Sequence, residues 1–269
     1  MDGFSNSEVE KAKIEVAACT RLLNHEGILG YSGHVGLRLP DGKTMLIQSF
    51  DASRNDLVPE ELYIVDLDGN VLDGNPEARP VNELEIHSEI LRARSDVNAV
   101  LHWHPEIATL FTLVEGINLV PMKNHAYRWA SGIPTHPESW HVDTQERGRA
   151  MVKSLGNHNA VLLRAHGAVI VSENIPSLMV DAVHFDENAR ALYDASRLGT
   201  VKPLTNEETT EFAANFKRGN HSVKLWRYYL SRGLEAEVIP EEWAELISCL
   251  LYTSPRQRDG LLSRMPSSA

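Results

Sequence analysis

Two histidines one residue apart, His102 and His104, close the apolar run Ala99-Val100-Leu101 and are followed by Pro105. Such a run predicts a buried strand, and residues two apart on a strand point to the same face. Two neutral imidazoles on one face can grip one transition-metal ion. A second apolar run, Ala160-Val161-Leu162-Leu163, leads into Arg164-Ala165-His166-Gly167. It offers a third imidazole at a strand end, where glycine lets the chain turn without a side-chain clash. Three histidines from two strands leave positions open on the ion, as a catalytic site requires. Upstream, Pro80-Val81-Asn82-Glu83 opens a helical stretch through Arg94, with Glu83 in its first turn. The Glu83 carboxylate is a candidate metal ligand or general base; complementing the helix dipole is its ordinary alternative role. The chain has 12 histidines, so a His-x-His pair alone does not define a site.

Taken together, Glu83-x-x-x-His87, His102-x-His104-Pro105 and His166-Gly167 resemble the class II aldolase/adducin family, whose best-known kind is L-fuculose-phosphate aldolase. The similarity extends over residues 8–200 and includes Asn24-His25-Glu26-Gly27, Ser32-Gly33-His34-Val35-Gly36-Leu37-Arg38 and Val65-Asp66-Leu67-Asp68-Gly69. The resemblance implies His102, His104 and His166 as ligands of one divalent metal ion per subunit. Zinc, manganese, iron and cobalt are the candidates, with zinc or manganese favoured. It implies Glu83 as the acid/base and places His87 behind the site. It further implies a homo-oligomer, with a tetramer favoured.

Cleaving a carbon–carbon bond beside a carbonyl or hydroxyl leaves electron density to be stabilised. A divalent cation acting as Lewis acid on an enediolate-like intermediate, with Glu83 moving the proton, meets that need. The same machinery serves aldol cleavage, epimerisation and decarboxylation of a hydroxy-acid or hydroxy-carbonyl substrate. Sugar-phosphate aldolases resemble one another in three segments of small donors that cradle phosphate. Here those segments read Gly33-His34-Val35-Gly36, Gln48-Ser49-Phe50-Asp51 and Val81-Asn82. Val81 and Phe50 offer no side-chain donor, and Asp51 repels an anion, so a sugar phosphate is disfavoured. His34, Arg38, Ser49, Asn82 and Tyr127 are the candidate substrate contacts. Arg54, Lys123 and Arg128 join Arg38 as possible carboxylate partners. His125 and Tyr127 are plausible auxiliary acids, whereas His136 and His141 read as loop or surface residues. Two alternatives stand beside the lyase: a non-catalytic adducin-like scaffold, which predicts lost metal ligands, and an iron-dependent oxygenase of the same fold.

The composition fits this reading. At 269 residues with a formal net charge of −11, the chain can bury a sizeable core and does not suit a nucleic-acid partner. No stretch approaches the roughly 18 apolar residues of a membrane span. Two cysteines, Cys19 and Cys249, give no disulfide framework, and a cytoplasmic location is expected.

The elements that must position these residues follow from periodicity. Residues 8–28 read as an amphipathic helix, followed by strands at Val35–Leu39 and Thr44–Ile47 around a Pro40-Asp41-Gly42 turn. Tyr63–Asp66 and Val71-Leu72 form a further strand pair. After the Glu83 helix and the His102 strand come helices at Glu106–Glu115 and 145–156, the His166 strand through Val171, and a long helix over Ile175–Leu198. Helices are also expected over Glu207–Arg218 and around the aromatic Trp226-Arg227-Tyr228-Tyr229, whose role is read as packing. The pattern predicts an α/β fold, a three-layer αβα sandwich with a mixed, largely antiparallel central sheet. Residues 8–247 read as one domain. Residues 248–269 lack this periodicity and are expected to be a non-native or disordered tail.

Overall fold

Alternating side chains on the strands divide the apolar residues between two cores, one on each face of a single sheet. The computed structural model describes residues 6–248. Its strands are β1 (His34–Arg38), β2 (Thr44–Gln48), β3 (Leu62–Asp66), β4 (Val71–Asp73), β5 (Ala99–Trp103), β6 (Thr135–His136), β7 (Ala160–Leu163) and β8 (Gly167–Ser172). They lie in the order β4-β3-β2-β1-β5-β8-β7-β6. Among the described residues, every strand pair is antiparallel except β6 with β7.

Ala99, Leu101 and Trp103 of β5 and Ala168 and Ile170 of β8 face one core. That core is closed by α1 (Asn6–His25), α3 (Glu106–Leu110), α5 (Ile175–Leu198), α7 (Arg218–Glu235) and α8 (Glu241–Ser248). Val100, Val169 and Val171 face the other, closed by α2 (Leu84–Ala93) and α4 (Gln145–Leu155). This is the expected three-layer αβα arrangement, and α6 (Asn206–Asn215) lies outside it against residues 124–129. Trp226 and Tyr229 of α7 are buried in the first core, so their role is packing.

Several boundaries differ from the sequence reading: α1, expected to run to residue 28, ends at His25. Helix α2 begins at Leu84, because Pro80 is held in a bridge with Ser49 and the Val81 amide donates to the Gln48 carbonyl. Glu83 therefore stands at the cap rather than inside the first turn. Helix α3 ends at Leu110 instead of Glu115. The Thr112 hydroxyl binds the Thr109 carbonyl and receives the Ala165 amide, which draws the chain away from helical continuation. The predicted helix over Glu207–Arg218 ends at Asn215, and Arg218 instead begins α7. Ser248 is the last described residue of α8; the remainder of the predicted tail lies outside the described residues. Among the described residues no helix is long and apolar enough to cross a membrane.

Candidate metal centre

Strand β5 lies between β1 and β8, and its registers set the site. His102 stands opposite His34 of β1 and Val169 of β8. By alternation it shares the face of Val100, while Trp103 turns into the opposite core against Phe185, with ring centroids 5.3 Å apart. His104 follows at the strand end.

His166 arrives on the turn between β7 and β8. Leu163 pairs with Gly167, so three residues make the reversal, and Ala165 takes φ +55° within it. That left-handed conformation costs an alanine about 1–2 kcal/mol. It is held by the Ala165 amide on Thr112 Oγ1 at 3.0 Å and the His166 amide on the Leu163 carbonyl at 3.1 Å. A Cβ on residue 167 would strike the Trp103 carbonyl and come within 2.8 Å of the His104 ring, so glycine lets the turn close onto β5.

The result is a nearly equilateral triangle of imidazoles. Ring centroids are 5.1 Å apart for His102 and His104, and 5.0 Å for His166 to each of the others. Glu83 completes the group, with ligand atoms of all four within 4.8 Å of one another. Its Oε2 lies 3.3 Å from His102 Nε2 and 3.6 Å from His166 Nε2. Its Oε1 accepts the Val142 amide at 2.9 Å. Burial works to raise the Glu83 pKa, but the approach of His102 and His166 outweighs it and holds the carboxyl below the usual range. Positive charge in the triangle, on its rings or on a bound cation, is what favours the ionised form of this buried carboxylate.

The donor set fits a metal ion. His102 Nδ1 lies 3.0 Å from the Ala168 carbonyl, which can only accept, so Nδ1 carries the proton and Nε2 presents its lone pair. That Nε2 and both ring nitrogens of His166 are buried without a hydrogen-bond partner. Buried nitrogens of this kind need a partner of some chemistry. His104 Nδ1 rests on Ser32 Oγ at 2.9 Å, leaving its Nε2 for the centre of the triangle. Burial, then the neighbouring His102 and His166, lowers the His104 pKa to about 4, so its ring is neutral at pH 7 and able to coordinate.

Behind the triangle, His34 Nδ1 meets His87 Nε2 at 2.6 Å, and the His34 ring lies 5.2 Å from that of His102. His87 stands at the back of the site as expected. His34 is 5% exposed, so it supports the site from behind rather than from the solvent side.

Other expected contacts lie elsewhere. Arg38 is a correction: its guanidinium donates to the carbonyls of Val97, Gly42, Leu91 and Arg94. It sits four residues beyond His34, roughly 13 Å along the strand, and serves as a backbone clamp. Extending the β1–β2 register brings Ser49 opposite His34, with its hydroxyl 3.5 Å from the Arg79 carbonyl. Asn82 Oδ1 accepts from Arg79 at 2.6 Å. Tyr127, in a 3-10 helix over Asn124–Trp129, packs on Phe212 and Phe216 and touches none of the four cluster residues. Arg54 is spent on the carbonyls of Gly33 and Ala52. Lys123 pairs with Glu187, and Arg128 with Asp181 and Glu173.

Two participants escaped the sequence. His141 lies with Nδ1 3.6 Å from Glu83 Oε1 and its ring 5.4 Å from that of His166, while its side chain is 74% exposed. It forms the rim of the site, although it falls in an irregular loop with no periodicity to mark it. The Val142 amide is a backbone group, invisible in residue types. Arg79, exposed, lies over the Phe50 ring at 4.1 Å. His136, read as a loop or surface residue, is buried in β6 with Nδ1 2.9 Å from Ser154 Oγ.

Residues 14–193 match the family model described as Class II Aldolase and Adducin N-terminal domain. The chain is 28% identical over 236 residues to a 3,4-dihydroxyphthalate decarboxylase of Arthrobacter keyseri, covering 82% of this chain and 93% of that one. It is 25% identical over 211 residues to a 5-deoxy-D-ribulose 1-phosphate aldolase of Bacillus thuringiensis, covering 78% and 97%. In fold it is similar to the crystal structure of an aldolase II superfamily protein from Pseudomonas syringae. The TM-score is 0.76 at 20% identity, covering 88% of this chain and 97% of that one.

Proposed function

The chain belongs to the class II aldolase and adducin family and is an enzyme of the metal-dependent lyase type, and we propose that it decarboxylates a hydroxylated aromatic acid. The observation that carries this reading is the pairing of Phe50 with Arg79, which donates to Asn82, the neighbour of Glu83 in the chain. The exposed guanidinium offers a charged partner to a carboxylate and the Phe50 ring adds an apolar edge, where a phosphate would need a cradle of small donors. Val81 adds no donor. The similarity to a dihydroxyphthalate decarboxylase over most of both chains supports the same choice.

His102, His104 and His166 would hold the divalent cation with Glu83 beside them, and zinc or manganese suits three imidazoles and a carboxylate. When bound, the cation supplies Lewis-acid stabilisation of negative charge on the substrate oxygens. The residues of the chain do the rest. The Val142 amide fixes Glu83 Oε1, leaving Oε2 to take the proton of a substrate hydroxyl. The bond to the carboxylate carbon then breaks and its electron pair stays on the ring carbon. The proton held at Glu83 closes the new C–H bond; carbon dioxide leaves, and the arene leaves as its phenolate, which takes a proton from water. His141, at the rim, is placed to meet the polar edge of the substrate.

This unit is taken to span residues 8–247 and to act as a homo-oligomer in the cytoplasm. The exposed apolar side chains Leu113, Val114 and Ile117 support an assembled form.

The test is carbon dioxide release from 3,4-dihydroxyphthalate and other catechol carboxylates, with metal content measured on the same samples. Release is expected from the wild-type chain. Glu83→Gln should lower turnover about 10²–10⁴-fold while keeping the metal. Cleavage of a sugar phosphate with no carbon dioxide from any aromatic acid, or full activity in Glu83→Gln, would sink the reading.

A further inference from the structure

On the opposite face of the sheet from Glu83, three more histidines converge from three separate elements. His125 comes from the 3-10 helix, His184 from α5 and His221 from α7, and their ligand atoms lie within 4.8 Å of one another. His184 is 8% exposed. His125 lies parallel to His184, with centroids 4.2 Å apart, and 5.2 Å from His221; His184 and His221 are 5.5 Å apart.

The elements that carry the rings are held against one another. Arg218 binds Asp181 with two contacts of 2.8 Å, fixing the start of α7 against α5. His184 and His221 each follow one turn later on those helices, so the ion pair sets the two imidazoles side by side. One turn further along α5, Asn188 accepts the Met122 amide at 2.8 Å and donates to the Val120 carbonyl at 3.0 Å. That anchors the segment carrying His125 over His184. Phe216 closes one side, 4.9 Å from His221 and 6.0 Å from His125.

Two nitrogens of this group, His125 Nδ1 and His221 Nε2, are buried with no hydrogen-bond partner. A buried ring nitrogen without a partner is costly, and two in one cluster call for a shared partner. We propose that His125, His184 and His221 form a second metal site, distinct from the Glu83 cluster, for a borderline first-row cation such as zinc or cobalt(II). A set of three imidazoles with no carboxylate among them selects such ions over magnesium or calcium. Burial lowers the pKa of all three, to about 3 for His184, so their lone pairs are free at neutral pH. An ion bound at about 2.0–2.1 Å to each ring places the nitrogens roughly 3.3 Å apart. Loading therefore draws the cluster inward by up to about 1.5 Å, through side-chain rotation at the half-buried His125 and His221.

The experiment uses the untagged full chain, stripped with chelator and titrated with cobalt(II), read by calorimetric stoichiometry and by cobalt visible absorption. Wild type is expected to bind two cobalt ions per chain, and His221→Gln and His125→Gln one each. His102→Ala/His104→Ala should also bind one, with the residual band removed by adding His221→Gln. No bound ion in wild type, or a single ion lost in His102→Ala/His104→Ala and kept in His221→Gln, would overturn the second site. So would two ions retained in both single variants. Loss of the Glu83 site alone would show in the His102→Ala/His104→Ala series, which separates the two assignments.

Discussion

The ring of His87 occupies the space that a side chain on residue 36 would need. A Cβ built on Gly36 would overlap His87 Nδ1 and lie 2.9 Å from its Cγ. Because His87 is fully buried and bound to His34, it cannot swing aside. Gly36→Ala should therefore destabilise the fold by about 1–3 kcal/mol, the usual cost of overpacking a core. Urea unfolding of the two chains measures this. An unchanged midpoint would mean that α2 yields more easily than its packing indicates.

His87 also predicts an acid limb. Burial first, then the proximity of His102, drives its pKa down to about 3, with Glu83 opposing. Unfolded histidine titrates near 6.5. Between those values the unfolded chain holds a proton that the folded chain lacks, so stability is full above pH 6.5 and lost as the pH falls towards 3. For His87 alone the loss is about 2 kcal/mol at pH 5. Urea unfolding at pH 7.5 and pH 5, with chelator present, should show this drop in wild type and a shallower one in His87→Asn. Equal slopes would assign the acid limb to other groups.

Ser32 orients one imidazole of the centre through its 2.9 Å contact with His104 Nδ1. Removing such a partner costs about 10–100-fold in metal affinity. Ser32→Ala is expected to show that loss in competition against a chromogenic chelator, with its urea midpoint in chelator unchanged. Wild-type affinity would show that His104 is held without it.

Arg38 supplies the contrasting case. Its hydrogen bonds to four backbone carbonyls tie β1 to the end of α2 and the start of β5. Arg38→Met should cost about 2–3 kcal/mol of stability, since buried acceptors lose charged donors. KM for the carboxylate substrate should stay the same. A raised KM with unchanged stability would restore Arg38 to the substrate side.

The contrast between His102 and Arg38 shows what the sequence could convey. An apolar run ending in His-x-His carries both its strand and its face, and the long α5 helix is legible at both ends. Charge and a planar fork made Arg38 look like a carboxylate partner, but the decision lay with carbonyls 53 to 59 residues away, which residue types do not announce. Glu83 was legible as a carboxylate ahead of the histidine strand. Its grip on the Val142 amide was not, because it depends on how a loop 59 residues downstream returns to the sheet. His141 escaped for the same reason. The capping sequence at Pro80 signals a helix start, but the pairing of Pro80 with Ser49 prevails and delays the helix to Leu84.

Strand β5 is central in order, and both of its pairings are long-range. Its partner on one side, β1, pairs His34 with His102, and on the other β8 pairs Val169 with His102, so both pairings join residues far apart in the chain. Contacts between distant segments form slowly, because loop closure must precede any gain from pairing. A chain that has folded only its helices or its local hairpins holds His166 on one piece and His102 and His104 on another. The triangle exists only once β8 has docked, and His34 backs it only once β1 has docked. Reactive geometry is in this way withheld from partly folded chains, and appearance of the complete site reports that the sheet has closed around β5.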